Sequence, residues 1–86
     1  PSAAVDHPVR LGEVSFQVSG ATQVRVDCLG GGADGVEAVV LDGLLTGPCR
    51  VEARTEAGRF EGRVQLLRSG AWRCEPGDDG LECYSP

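Results

Sequence analysis

The chain has 86 residues and a formal net charge of −5, and all eight of its basic residues are arginine. Because phosphate binding needs a basic patch, an acidic chain with scattered arginines argues against nucleic acid as a partner. No apolar run approaches the roughly 20 residues that a membrane-spanning helix requires, so we expect no transmembrane segment. A chain this short forms one domain with a small core, which is marginally stable without a staple.

The four cysteines indicate how such a small core is stabilised. An even number in a short chain is typical of two disulfides and an oxidising compartment. A zinc site is the alternative, but zinc knuckles pair cysteines two residues apart, whereas 20, 24 and 8 residues intervene here. No signal-peptide pattern is present, so we expect the chain to be a mature form or an excised domain. Lys, Ile, Asn and Met are absent, and since their codons are AT-rich we expect a GC-rich bacterial genome.

The first part of the chain predicts an arm followed by strands. Residues 1–11 contain two prolines and no period, which is typical of an N-terminal arm or linker, and residues 12–86 are then a single β-domain. Residues 12–19 and 22–28 alternate apolar and polar side chains, which predicts two half-buried strands. Residues 29–35 (LGGGADG) are expected to form a mobile loop. A strand is predicted over 36–41, and Asp42-Gly43 is a hairpin signal before Leu44-Leu45.

Residues 49–83 predict four successive strands joined by tight turns. Between the first two, a two-residue turn at Ala57-Gly58 sets Glu52 opposite Arg63 and Arg54 opposite Glu61. A four-residue loop instead sets Glu52 opposite Glu61 and Arg54 opposite Arg59. Because opposite charges across strands stabilise a sheet and like charges destabilise it, we predict the shorter turn.

The last two turns position a tryptophan and two cysteines. A three-residue loop ending at Gly70 sets Trp72 opposite Leu66, which favours a core role for the tryptophan. A two-residue turn at Asp78-Asp79 then sets Cys74 opposite Cys83 at a non-hydrogen-bonded pair, where strands come closest.

The pairing of the other cysteines follows from their neighbours. Cys28 and Cys49 both belong to apolar faces of alternating runs, so we predict the disulfides Cys28–Cys49 and Cys74–Cys83. No segment has ten residues at helical period. The sequence therefore predicts an all-β fold: a small, disulfide-stapled antiparallel β-sandwich or meander of about six to eight short strands with little or no helix.

Part of the chain, roughly residues 20–66, resembles the bacterial PEGA repeat. Gly20-Ala21, the run VRVD at residues 24–27 and Gly47-Pro48 match its pattern G-A-x-V-x-V-D-G followed by G-x-x-P, and the run VLDG at residues 40–43 offers a second alignment. Cys28 stands where the pattern has glycine, an insertion follows it, and the usual threonine before the proline is missing. The resemblance implies a small β-fold acting as a non-enzymatic extracytoplasmic accessory domain, often appended to surface proteins or signalling kinases, with no catalytic residues.

The sequence contains no set of residues in the pattern of a catalytic, phosphate-binding, redox or metal site. The one histidine, His7, lies in the arm, whereas a catalytic triad needs a histidine held between a nucleophile and an acid. LGGGADG lacks the Gly-Lys-Ser/Thr ending of a phosphate loop, and no C-x-x-C is present. An acidic cluster is the candidate calcium site, but no Asp-x-Asp-x-Asp loop supports it; its members are Glu75, Asp78, Asp79 and Glu82. We therefore expect no enzyme activity, no metal and no cofactor.

These observations favour a non-catalytic binding or assembly module outside the cytoplasm: periplasmic, on the cell surface, or secreted. It would contact a protein partner or another copy of itself through Leu29, Ala33 and Asp34, extended by pairing at a sheet edge. The charged face of the hairpin over 49–66 is expected to be partner-neutral because its charges satisfy one another. The alternatives are a ligand-sensing or regulatory accessory domain of a larger envelope signalling protein, and a proteinase inhibitor that presents a rigid loop.

Overall fold

The structure, a computed structural model, describes residues 9–85. This part of the chain forms eight strands and no helix: β1 (Val14–Val18), β2 (Gln23–Cys28), β3 (Gly31–Gly35), β4 (Ala38–Leu41), β5 (Gly47–Thr55), β6 (Gly58–Leu66), β7 (Gly70–Gly77) and β8 (Gly80–Tyr84). The all-β class is confirmed, and no helix able to cross a membrane exists in the described range. The first eight residues of the predicted arm, with His7, lie outside the described residues.

The strands form two four-stranded sheets. Sheet one has the order β4-β1-β7-β8, and sheet two has the order β3-β2-β5-β6. All neighbours are antiparallel except β1 and β7, which run parallel. The sequence predicted only antiparallel pairs. A parallel pair needs a crossover connection of about a dozen residues or more, and residues 19–69 between β1 and β7 provide one.

The core lies between the two sheets and follows the alternation of the strands. In β1, every second residue (Val14, Phe16 and Val18) is fully buried, and in β2 Val24 and Val26 face them from the other layer. Burying side chains of this kind stabilises the fold by about 1.5–3 kcal/mol each. One contiguous cluster therefore holds both sheets together.

Trp72 packs on this core from β7. Its ring stacks on that of Phe16, with centroids 6.3 Å apart and planes inclined by 15°, and the side chain is half-buried. The predicted position opposite Leu66 is wrong, because the loop before Gly70 crosses to the other sheet. There β7 pairs with β1, and the Gly70 N–H donates to the Glu13 carbonyl at 3.1 Å. The loop chemistry suits a hairpin, but this distant partner determines the pairing.

Both predicted disulfides are confirmed. Cys28 faces Cys49 across β2 and β5, and Cys74 faces Cys83 across β7 and β8, with Cα atoms 4.2 and 4.0 Å apart. The bridges close loops with sequence separations of 21 and 9 residues. In the chain-entropy model, such loops contribute about 3 and about 2.5 kcal/mol to stability.

The predicted register of the β5–β6 hairpin is wrong by two residues. The turn is Glu56-Ala57, so Glu52 faces Glu61 and Arg54 faces Arg59. A shift of two leaves every side chain on its original face, and the apolar pattern therefore cannot distinguish the two registers. The like charges are compensated diagonally, because Arg50 pairs with Glu61 and Arg59 with Glu52.

Two further predicted segments differ from the structure. Residues 29–35 are not a mobile loop: Leu29-Gly30 is a two-residue turn, with Gly30 at φ +89°, and β3 follows it. Asp42-Gly43 does not fold the chain back onto β4. Instead the following residues pair with the segment 9–11, where the Leu11 N–H donates to the Leu44 carbonyl at 2.7 Å.

Candidate functional site

The three residues predicted to bind a partner share one hairpin but not one patch. Leu29 lies in the β2–β3 turn, is 45% exposed, and packs against Gly47. Ala33 faces Val26 and packs against the core, so it is half-buried. Asp34 lies on the outer face of sheet two, opposite Arg25. The structure thus leaves Leu29 and Asp34 exposed at the two ends of β3.

Strand β3 is the outer strand of sheet two. Its hydrogen-bonded neighbour is β2, and within the described residues it forms no further backbone hydrogen bond. The two-residue turn fixes which groups point outward: Cys28 and Gly31 form the closing hydrogen-bonded pair, so Gly32 and Asp34 direct their N–H groups away from β2. Val36 follows the strand and is 66% exposed. An unpaired strand edge therefore lies between two exposed apolar side chains.

The outer face of sheet two carries five of the eight arginines, two of them on β5, two on β6 and one on β2. We call it the arginine face; its arginines are Arg25, Arg50, Arg54, Arg59 and Arg63. Four carboxylates occupy the same four strands, so the arginine face has one positive charge in excess while the whole chain has −5.

Arg50 is the best-paired arginine of this face. Its Nε donates to Glu61 at 2.7 Å, and its Nη2 lies 3.2 Å from Glu52. The hydrogen bond to Glu61 and then the negative charge of that carboxylate raise the pKa of Arg50 above its ordinary value. Arg50 is therefore committed to pairs within the sheet.

Arg54 and Arg63 are not paired in this way. Neither makes an ion pair with any residue between 9 and 85, and each faces another arginine directly: Arg54 faces Arg59, and Arg63 faces Arg50. The expectation of a partner-neutral face rested on the register that is wrong. In the observed register, two guanidinium groups are left without a carboxylate.

A groove runs across the strands beside Arg54. One cavity of about 320 Å³ is lined by Gln23, Arg25, Glu52, Ala53, Arg54 and Arg59. A second, of about 450 Å³, is lined by Thr22, Gln23, Asp34, Gly35, Val36 and Arg54. Because the two share Gln23 and Arg54, we treat them as one arginine groove. The groove was not predicted from the sequence, because the feature that indicates it is the β5–β6 register, and the predicted register was wrong.

The acidic cluster at the β7–β8 hairpin is not organised around a metal. Glu75 faces Glu82 directly, and the Tyr84 hydroxyl donates to Glu75 at 3.4 Å. Across residues 9–85, no group of three His, Cys, Asp or Glu side chains is arranged to hold an ion.

No family model, no curated protein and no solved structure matches this chain. The resemblance to the PEGA repeat therefore stays a prediction from the sequence.

Proposed function

We propose that this chain is a non-catalytic extracytoplasmic binding module that accepts a strand of a protein partner along the edge of β3. The observation that carries the proposal is the unpaired edge between Leu29 and Val36, two apolar side chains that are 45% and 66% exposed. A strand added to such an edge gains main-chain hydrogen bonds, and the exposed apolar side chains at its ends supply specificity.

The two disulfides support the extracytoplasmic part of the proposal, because such bridges persist in oxidising compartments. They are consistent with an extracellular location. Periplasmic, surface-attached and secreted forms are all compatible with the same chemistry. A PEGA-like accessory domain would share this placement.

The absence of desolvated polar groups supports a non-catalytic role. Within the described range, no polar or charged side chain is buried. Catalytic acids and bases, in contrast, commonly lie in clefts where desolvation shifts their pKa values. An exposed, rigid scaffold of this kind suits recognition.

A ligand-sensing or regulatory accessory domain is a second candidate, favoured by the arginine groove. A proteinase inhibitor is a weaker one. The hairpin turns at 29–30, 56–57 and 78–79 have two residues each, which is too short to fill an extended protease cleft.

The test is to select extended peptides from a displayed library against the purified chain and to map their contacts by amide NMR. Peptides should shift and protect the Gly32 and Asp34 amides. Asp34→Pro removes one outward N–H and should abolish binding, whereas Asp34→Ala keeps that N–H and should retain it. Equal binding by the two folded variants, or contacts confined to other strands, would refute the proposal.

A further inference from the structure

We propose that the arginine groove binds the carboxylate of a glutamate or aspartate in an extended segment of the partner. The inference rests on the proposed protein-binding function and names the chemistry that a partner must bring. It concerns the outer face of sheet two, and not the backbone edge of β3.

The charges beside the groove are not balanced within the sheet. Arg54 faces Arg59 directly across the hairpin, and like charges at such a position destabilise a sheet. Arg59 lies 3.6 Å from Glu52, but Glu52 also lies 3.2 Å from Arg50. One internal carboxylate is thus shared between two guanidinium groups, and Arg54 has none among the residues described. An external carboxylate between Arg54 and Arg59 would supply the missing partner.

The side chains that line the groove favour a carboxylate over other anions. A guanidinium group offers planar N–H donors that match a carboxylate in a bidentate arrangement. Glu52 lines the same cavity, and its negative charge disfavours a doubly charged phosphate or sulfate more strongly than a singly charged carboxylate. Gln23 adds an amide able to donate to and accept from a peptide backbone. The lining therefore favours an acidic peptide over an inorganic dianion.

The groove crosses all four strands of sheet two. From Arg59 on β6 it passes Arg54 on β5 and Gln23 on β2, and it ends at the exposed Val36 beyond β3. Three steps between neighbouring strands span about 14 Å, which an extended peptide covers with about four residues. The ligand should therefore carry an apolar residue about four positions from its acidic one.

The experiment uses a short dye-labelled peptide with one glutamate and a valine about four positions away in a serine–threonine background. Its affinity for the full chain is measured by fluorescence anisotropy. A charge-assisted hydrogen bond contributes about 1.5–3 kcal/mol, so Arg54→Gln or Arg59→Gln should weaken binding by about ten- to hundredfold. The matched control Arg63→Gln removes the same charge from the same face outside the groove, and it should change affinity by less than about twofold.

Three results would overturn the inference. The first is an equal loss of peptide affinity in Arg54→Gln and Arg63→Gln, and the second is equal affinity for a peptide with glutamine in place of glutamate. The third is displacement of the peptide by inorganic phosphate at the concentration at which the peptide binds. Failure here is distinguishable from failure of the proposed function. Library-selected peptides that still protect the Asp34 amide in the Arg54→Gln variant would leave strand addition at β3 intact while excluding the groove.

Discussion

Gly62 of β6 lies directly against the backbone of Leu81 in β8. A Cβ atom added at position 62 would approach the Leu81 carbonyl and would lie 2.9 Å from the Leu81 Cβ. Strands β6 and β8 are the last strands of their sheets on the same side of the sandwich. This contact closes that side of the sandwich. On the opposite side β3 also contacts β4, but the outward N–H groups of Gly32 and Asp34 have no backbone partner among residues 9–85.

The contact predicts the effect of a methyl group at position 62. Gly62→Ala should destabilise the domain by about 1–3 kcal/mol, because the added Cβ meets backbone that cannot move without separating the sheets. Gly12→Ala is the matched control, since its nearest neighbour, the Ser69 Cβ, lies at 4.0 Å. Urea denaturation of both variants measures the difference. Equal midpoints would show that the edges of β6 and β8 are not held together.

Removing a disulfide should cost more stability when the loop that it closes is longer. The double variant Cys28→Ala with Cys49→Ala should lose about 3 kcal/mol, and Cys74→Ala with Cys83→Ala slightly less, because the second loop is shorter. Chemical denaturation under non-reducing conditions gives both values. Peptide mapping without reductant should recover the two cross-linked pairs from the unaltered chain, and free thiols there would contradict the assignment.

Phe16 should be the most costly single side chain to truncate. It is fully buried and stacks on Trp72, so Phe16→Ala should lose about 3–5 kcal/mol. Trp72 is the only tryptophan, and its fluorescence reports directly on this packing. Val40→Ala, at a position 60% exposed on the outer face of sheet one, should change stability by less than about 0.5 kcal/mol. A comparable loss in both variants would place the core elsewhere.

The observed β5–β6 register predicts opposite effects for two neighbouring charges. Glu61→Gln removes the partner of Arg50 and should lower the melting temperature at low salt, with a smaller effect at high salt. Arg63→Gln removes a like charge facing Arg50 and should be neutral or stabilising. Thermal denaturation at two salt concentrations measures both. In the alternative register Arg63 faces Glu52, and Arg63→Gln would then be destabilising.

The pH dependence of the Arg50–Glu61 pair has a defined sign. Because the hydrogen bond from Arg50 to Glu61 raises the pKa of Arg50, its contribution is complete at neutral pH. It is lost only in strong alkali, as the pH rises through the raised pKa. The difference in stability between the unaltered chain and Arg50→Gln should therefore stay constant from neutral pH to moderately alkaline pH. A decline within that range would show that a group other than the Arg50 guanidinium controls this contribution.

Local pattern was sufficient to predict much of the fold. Alternation in residues 12–19 and 22–28 predicted β1 and β2 with the buried residues that they have. The two glycines around Asp78-Asp79 fixed the β7–β8 register, and that register determined the Cys74–Cys83 bridge. Each of these features depends on residues within one hairpin or one strand.

The features that were missed depend on distant residues or on small energy differences. Nothing near Gly70 indicates that β7 continues beside β1, because that partner is far along the chain. Glycine has low strand propensity, so the run over 29–35 gave no sign that pairing with β2 would hold it as β3. The arginine groove followed from a choice between two registers that bury the same side chains, so composition could not locate it.

The parallel pair of β1 and β7 also has a consequence for how the domain is made. Sheet two is complete once residues 23–66 are available, and its strands are joined largely by neighbouring hairpins. Sheet one needs β7 beside β1, a non-local pairing that must overcome the loop-closure entropy of most of the chain and that slows folding. Sheet two can therefore form before sheet one, in which β1 has only β4 as a neighbour until β7 is available. A chain that ends before β7 should therefore leave sheet one without the strand that joins β1 to β8.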